Sequence, residues 1–138
     1  MLHWQSLTES IAARSGAPLR ILVVDDDRDS AEMLVAFLSS MGYELRAAHD
    51  GPAALAAFSA FRPDLVLLDI GLPRSNGYDI ARTIRHESRG KRPVIVAITG
   101  WGQDEDKRTS ADAGFDHHMV KPVDLAVLVK LIGTIQTV

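Results

Sequence analysis

Cysteine is absent from the 138-residue chain. That excludes disulfides, thiolate nucleophiles and cysteine–zinc centres. No apolar run approaches the ~20 residues of a membrane-spanning helix. The opening Met1-Leu2-His3-Trp4-Gln5 lacks the basic-then-apolar layout of a secretory signal. Charge of one sign is in small excess only. A net −3 at pH 7 supplies no general drive toward nucleic acid or anionic membrane. Internal repeats and low-complexity tracts are also missing. What is present is ordinary for one soluble domain with one core: 46% apolar and 24% charged residues. The expectation is a cytoplasmic domain that neither inserts in membranes nor binds nucleic acid itself.

Residues 1–18 differ from the rest. Trp4, Leu7 and Ile11 recur at helical spacing, and Gly16 with Pro18 supplies a stop. The segment reads as a short helix and linker, the end of a connector from an upstream domain. A loosely packed tail is the alternative, but Trp4 is costly to leave exposed. From Leu19 to residue 138 the chain forms the main domain, where strand and helix signals alternate. Strands are predicted at 19–24, 44–48, 64–68, 93–98 and 116–120. The first, third and fourth are continuous β-branched or leucine runs, as expected of strands covered on both faces. Helices are predicted at 28–41, 51–60, 77–88, 103–113 and 124–136. In the first, Met33, Leu34, Phe37 and Leu38 form the apolar stripe, and Gly42 ends it. In the last, Asp124 caps a run of Leu125, Leu128, Leu131, Ile132 and Ile135. Five βα units in this length imply an α/β fold with a doubly wound, five-stranded parallel sheet of flavodoxin-like type. Right-handed crossovers favour the strand order 2-1-3-4-5.

In such a sheet, ligands bind beyond the carboxyl ends of the strands at the switch point between strands one and three. Ile21-Leu22-Val23-Val24 runs into Asp25-Asp26-Asp27, and Leu65-Val66-Leu67-Leu68 runs into Asp69. The topology alone brings Asp25, Asp26 and Asp69 together. It brings Thr99 and Lys121, after the fourth and fifth strands, to the same edge. Crowded carboxylates repel, and the usual relief is a hard divalent cation held by oxygen ligands. This inventory suits Mg2+-dependent phosphoryl chemistry. Asp69 attacks phosphorus and forms an aspartyl phosphate. Asp25 and Asp26 hold Mg2+, which bridges to Asp69. Lys121 offers a flexible point charge and Thr99 a hydrogen-bond donor to the remaining phosphoryl oxygens. Each residue has a structural reading too. Aspartate after a strand is a common turn or cap residue, and Asp27 or Asp29 suits the cap of the first helix. Thr99 alone reads as structural, and Lys121 alone as a solvated lysine. The coincidence of all five groups at strand carboxyl ends carries the functional reading.

Four segments in order resemble the receiver domain of two-component response regulators. They are Ile21-Leu22-Val23-Val24-Asp25-Asp26-Asp27, Leu67-Leu68-Asp69-Ile70-Gly71-Leu72-Pro73, Ile98-Thr99-Gly100 and Val120-Lys121-Pro122. The resemblance implies a phosphoacceptor that switches partner affinity, not a turnover enzyme, although its pocket promotes its own phosphorylation and dephosphorylation. It implies a histidine kinase or histidine phosphotransfer domain as donor to Asp69. It implies Mg2+ on Asp25, Asp26, Asp69 and the Gly71 carbonyl, with Thr99 and Lys121 sensing the phosphoryl group. Gly77 matches the family's glycine after the phosphorylation loop. His118 stands where receivers commonly carry Tyr or Phe, which departs from the usual aromatic switch. The run Gly114 to Asp124 resembles receivers fused to hybrid histidine kinases, which fits a connector in residues 1–18.

Other features carry weaker signals. His117 and His118, adjacent in a strand, point to opposite faces and cannot easily chelate one metal ion. Arg82, Arg85, Arg89, Lys91 and Arg92 read as the solvated face of an amphipathic helix and its exit loop. The helix 103–113 has only alanines to bury, so it should be weakly anchored. With the fifth strand and last helix it forms the expected output surface and a route to a homodimer. Trp101 either packs over the loop or screens an acyl phosphate from water. Two other functions compete. A haloacid dehalogenase-like phosphatase would use Asp25 as nucleophile and Asp27 as general acid, but leaves Asp69 idle and needs more acids after Lys121. A flavin carrier needs a phosphate loop where three carboxylates stand.

Overall fold

A computed structural model describes residues 18–88, 92–100 and 113–136. The predicted helix 103–113 except Ala113, Trp101 and the segment 1–17 lie outside the described residues, as do Arg89 and Lys91. Within them the strands are β1 (Arg20–Val24), β2 (Glu44–Ala48), β3 (Leu65–Asp69), β4 (Val94–Thr99) and β5 (His117–Val120). The helices are α1 (Arg28–Ser40), α2 (Gly51–Phe61), α3 (Gly77–Glu87) and α4 (Leu125–Gln136). All strand pairs are parallel and the order is β2-β1-β3-β4-β5. The predicted topology is therefore the observed one, and β1 and β3 are neighbours at the switch point.

Period-two alternation divides the sheet between two apolar clusters. Leu22, Val24, Val66, Leu68, Ile95 and Ala97 face α2 and α3. Ile21, Val23, Leu65, Leu67, Val96 and Ile98 face α1 and α4. Central strands thus bury both faces, which is why they read as unbroken apolar runs. The stripe on α1 differs from the one predicted. Ala31, Leu34 and Leu38 are its buried residues, while Met33 is 54% exposed. Steps of three and four from Ala31 define the core seam, and Met33, two residues on, falls on the outer side.

Short polar residues start each helix at the sheet's carboxyl edge. Asp27 caps α1, Asp50 caps α2 and Asn76 caps α3 through side-chain oxygens that accept from the first-turn amides. Asp124 accepts from the N–H groups of Ala126 and Val127 at 3.0 and 3.2 Å and does the same for α4. Gly42, at φ +94°, takes the left-handed turn that follows α1.

The basic residues of α3 are not all solvated, contrary to the sequence reading. Arg85 turns inward at the amino edge of the sheet. Its guanidinium donates to the carbonyls of Gly114 and Pro93 at 2.9 and 2.6 Å and to Asp116 Oδ2 at 2.5 Å. Asp116 also accepts from Ile95 N–H at 2.9 Å and from Arg92 at 3.1 Å. One side chain thereby ties α3 to the starts of β4 and β5. Burial pushes the Arg85 pKa down, against the upward pull of Asp116. Arg85→Ala is expected to cost about 2–4 kcal/mol, because it strips partners from a half-buried carboxylate. Arg82→Ala, which removes a pair whose side chains are 49% and 69% exposed, should cost at most about 0.5 kcal/mol. Urea unfolding midpoints of the two variants provide the comparison.

Candidate functional site

The strands deliver the site residues by their lengths. β1 ends at Val24, so Asp25 begins the turn, its N–H still bonded to the Ala48 carbonyl at 3.0 Å. Asp69 is the last residue of β3 and Thr99 the last of β4. Lys121 follows β5, and its N–H donates to the Thr99 carbonyl at 2.7 Å, one further rung of the β4–β5 ladder. The Lys121–Pro122 bond, undecided from sequence, is cis.

The carboxylates of Asp25, Asp26 and Asp69 converge, with one ligand oxygen from each within 4.8 Å of the others. Asp25 and Asp69 are each only 5% exposed, whereas Asp26 faces solvent. Lys121 Nζ lies 2.9 Å from Asp69 Oδ2 and 3.5 Å from Asp25 Oδ2. Gly71 donates its N–H to Asp69 Oδ1 at 2.8 Å. The contact seen for Gly71 is therefore its amide on the carboxylate. Thr99 is buried, and its hydroxyl reaches the Met119 carbonyl at 3.5 Å, a long contact. Gly77 explains how the loop after Asp69 is held. A Cβ there would stand 2.5 Å from the Ile70 Cα, so only glycine lets the start of α3 press on the residue following Asp69.

Among the described residues, the cluster sets one ammonium, Lys121, against the three carboxylates of Asp25, Asp26 and Asp69. Burial raises the Asp25 pKa above its ordinary 3.8, and the neighbouring Asp69 adds to the rise, while the Asp27 amide and Lys121 oppose it. For Lys121, burial acts downward, but the hydrogen bond and charge of Asp69, joined by Asp25, outweigh it and lift the pKa above 10.5. Two buried carboxylates beside an exposed third, all oxygen donors, fit a hard divalent cation such as Mg2+. Asp27 has another task. Its carboxylate accepts from Ser30 Oγ at 3.0 Å and from the amides of Asp29 and Ser30, and the Ser30 bonds lead in holding its pKa below 3.8. Its oxygens are taken up by the cap of α1, which counts against the general-acid role that the phosphatase reading gave it.

The Asp25 shift has a thermodynamic consequence. A carboxyl whose folded pKa exceeds its unfolded pKa binds protons more readily when folded. Stability then falls as pH rises from the unfolded value near 3.8 through the folded one, and the whole deficit is present above the folded pKa. Asp25→Asn is thus expected to raise the unfolding midpoint of the metal-free protein at pH 7 and, by removing the Asp25-linked fall in stability with rising pH, to steepen the climb of stability out of acid. Thermal melts from acid to neutral pH in chelator check this.

Two side chains that matter here were not singled out from the sequence. Arg85 carried no signal beyond its place in a basic run. His49 stands at the carboxyl end of β2, the same kind of position that selected the others, and its Nδ1 lies 2.9 Å from the Asp25 carbonyl.

Comparison with known proteins fits this geometry. The model of the response regulator receiver domain matches residues 21–133. Response regulator MprA of Mycolicibacterium vanbaalenii is 40% identical over 111 residues, which are 80% of this chain and 47% of that protein. DNA-binding response regulator MtrA of Mycobacterium leprae is 42% identical over 103 residues, 75% of this chain and 44% of that one. The chain thus spans about half the length of these relatives. Among solved structures, the CheY-like receiver domain protein of Methanospirillum hungatei superposes with a TM-score of 0.79 at 28% identity, covering 87% of this chain and 94% of that one. Chemotaxis protein CheY4 of Vibrio cholerae gives 0.79 at 28% identity, covering 86% and 99%. With the sheet order, the acidic cluster and the lysine at its edge, these likenesses establish that the chain belongs to the response regulator receiver domain family of two-component signalling.

Proposed function

We propose that Asp69 is the phosphoacceptor of this receiver domain, and that it takes its phosphoryl group from a phosphohistidine on a histidine kinase or histidine phosphotransfer domain. One observation carries the assignment: Asp69 is the carboxylate that Lys121, Gly71 N–H and the Asp25–Asp26 pair all surround. A carboxylate oxygen of Asp69 attacks phosphorus in line. The donor P–N bond breaks, and the imidazole leaves with the electron pair. Lys121 compensates charge on one phosphoryl oxygen, and Thr99 swings its hydroxyl from Met119 to another. Asp25, Asp26, Asp69 and the Gly71 carbonyl are the proposed ligands of Mg2+, which supplies charge neutralisation to the incoming phosphoryl group. The domain promotes its own phosphorylation and hydrolysis without being a turnover enzyme.

Residues 19–138 form the proposed receiver unit and 1–18 a connector. No helix of the described residues is long and apolar enough to cross a membrane, and a cytoplasmic site of action is proposed. Attachment to a hybrid histidine kinase is carried only by the resemblance of Gly114 to Asp124. The described arginines of 82–92 are engaged with Asp79 and Asp116, which supports a domain without nucleic-acid contacts of its own. A homodimer is proposed through segment 103–113, β5 and α4, where Val120 and Val127 are exposed.

Incubation with Mg2+ and phosphoramidate is the direct test. The expected product is one acyl phosphate per chain, labile to base and located on Asp69 by borohydride reduction and peptide mapping. An adduct located on Asp25 instead would overturn the assignment.

A further inference from the structure

We propose that His49 is a positioning residue of the cation site, holding the Asp25–Asp26 peptide from the flank of β1 away from Asp69. The inference rests on the Mg2+ reading above. β2 lies on one side of β1 and β3 on the other, so the imidazole that follows β2 reaches Asp25 from the side Lys121 does not occupy. Its Nδ1 is 2.9 Å from the Asp25 carbonyl. A carbonyl only accepts, so the Nδ1 atom facing it carries the proton.

The contact fills a defined place in the sheet. Asp25 N–H to the Ala48 carbonyl is the last rung between β1 and β2. The next rung of a parallel ladder would bring the Asp50 N–H to the Asp25 carbonyl. By then the chain has turned, because Asp50 is the cap of α2 and its carboxylate accepts from Ala53 N–H at 2.8 Å. The His49 ring stands in for the missing main-chain donor. This lets β2 leave the sheet early without releasing the Asp25 carbonyl.

What that carbonyl controls is the aim of two ligands. The Asp25–Asp26 peptide sets where the Asp26 carboxylate points. Asp25 Oδ1 is in turn pinned by Asp27 N–H at 2.9 Å. The turn 25–27 is therefore a small hydrogen-bonded unit, and His49 is its anchor on the β2 side. Partners of this kind, one bond removed from the ligand, typically alter metal affinity by about 10- to 100-fold. The ring also borders an open cavity of about 200 Å³ lined with Asp50 and Leu72 to Ser75, so its truncation need not disrupt a tightly packed core.

Calorimetric Mg2+ titration of the whole chain is the test, on wild type, His49→Ala, His49→Asn and Asp25→Asn. His49→Ala should weaken Mg2+ binding about tenfold with a nearly unchanged urea midpoint. His49→Asn places an amide N–H near the Nδ1 position and should recover most of the affinity. Hydrogen exchange at the Asp26 and Asp27 amides should quicken in the alanine variant and not in the asparagine one. Wild-type affinity in His49→Ala, with binding lost in Asp25→Asn, overturns the role of His49 and leaves the cation site standing. Equal weakening in both His49 variants also overturns it, since the donor would then be irrelevant. Full Mg2+ affinity in Asp25→Asn sinks the cation site itself, and this inference with it.

Discussion

Asp69→Asn is expected to abolish phosphoryl capture, with at least a ~100-fold loss of adduct under Mg2+ and phosphoramidate, the scale on which a missing nucleophile acts. The fold should survive the change. The asparagine oxygen can still accept from Gly71 N–H, which now bonds Asp69 Oδ1 at 2.8 Å. Lys121 keeps Asp25 as a partner at 3.5 Å. The variant therefore removes the attacking oxygen, one charge and one proposed Mg2+ ligand, while leaving the contacts that hold the fold. It also separates the receiver reading from the phosphatase one. If Asp25 were the nucleophile, Asp69→Asn would retain phosphoryl turnover and Asp25→Asn would lose it. Against that alternative stands the environment of Asp27, the acid it requires. That side chain is committed to the cap of α1. Intact-mass measurement after a timed incubation, with circular dichroism as the fold control, gives the answer. An adduct persisting at wild-type level in Asp69→Asn defeats the assignment.

Much of this site is legible in the sequence because it depends on where strands stop. β1, β3 and β4 are buried on both faces, so their boundaries coincide with the change from apolar to polar residues. Asp25, Asp69 and Thr99 mark those changes, and parallel topology brings them to one edge. Caps are legible for the same reason: Asp27 and Asp124 are short acceptors just ahead of helical runs. The exposed side of α1 is less so, since Met33 and Leu34 differ by one residue but by about 100° around the helix. Only the packed partner decides which of them is covered. Arg85 and His49 are hidden for another reason. Each bonds main-chain carbonyls of a different segment, and those bonds depend on the path of loops rather than on periodicity. The Thr99 hydroxyl and the cis Lys121–Pro122 bond belong to the same class.

Asp25 shows why such a site is under tension. Its carboxylate is buried, and that burial, with Asp69 beside it, pushes its pKa up against the pull of Lys121. Asp26 adds a negative charge at the rim, and Lys121 offsets only part of the sum. A fold selected for stability alone would place an asparagine or an apolar residue at position 25. The acidic cluster is instead what the proposed cation-dependent phosphoacceptor requires.

Lys121→Ala carries this argument to its strongest test, because it should move metal affinity and phosphoryl capture in opposite directions. In the absence of metal, Lys121 is the cation that Asp69 and Asp25 share, at 2.9 and 3.5 Å. A divalent ion entering the cluster meets that ammonium as a like charge. Two unit charges about 4 Å apart interact by about 1 kcal/mol in water and about 4 kcal/mol at a protein surface. Lys121 is 33% exposed, so the low end applies. Because the ion carries two charges the figure doubles to about 2 kcal/mol, so removal of Lys121 should tighten Mg2+ binding about thirtyfold. Metal-free stability should fall by about 1 kcal/mol, and added Mg2+ should restore it. The alkaline limb should change as well. A lysine whose folded pKa is raised contributes stability that is complete below the unfolded value of 10.5 and is lost as pH climbs through the folded one. That loss should vanish from the variant. Phosphoryl capture should nonetheless drop by about tenfold or more, because the charge that faced the incoming oxygens is gone. Calorimetry, urea melts with and without Mg2+, and adduct yield give the three readouts. Weaker Mg2+ binding in Lys121→Ala would mean that the ammonium orders the carboxylates for the cation rather than competing with it, and the electrostatic account of the site would have to be reversed.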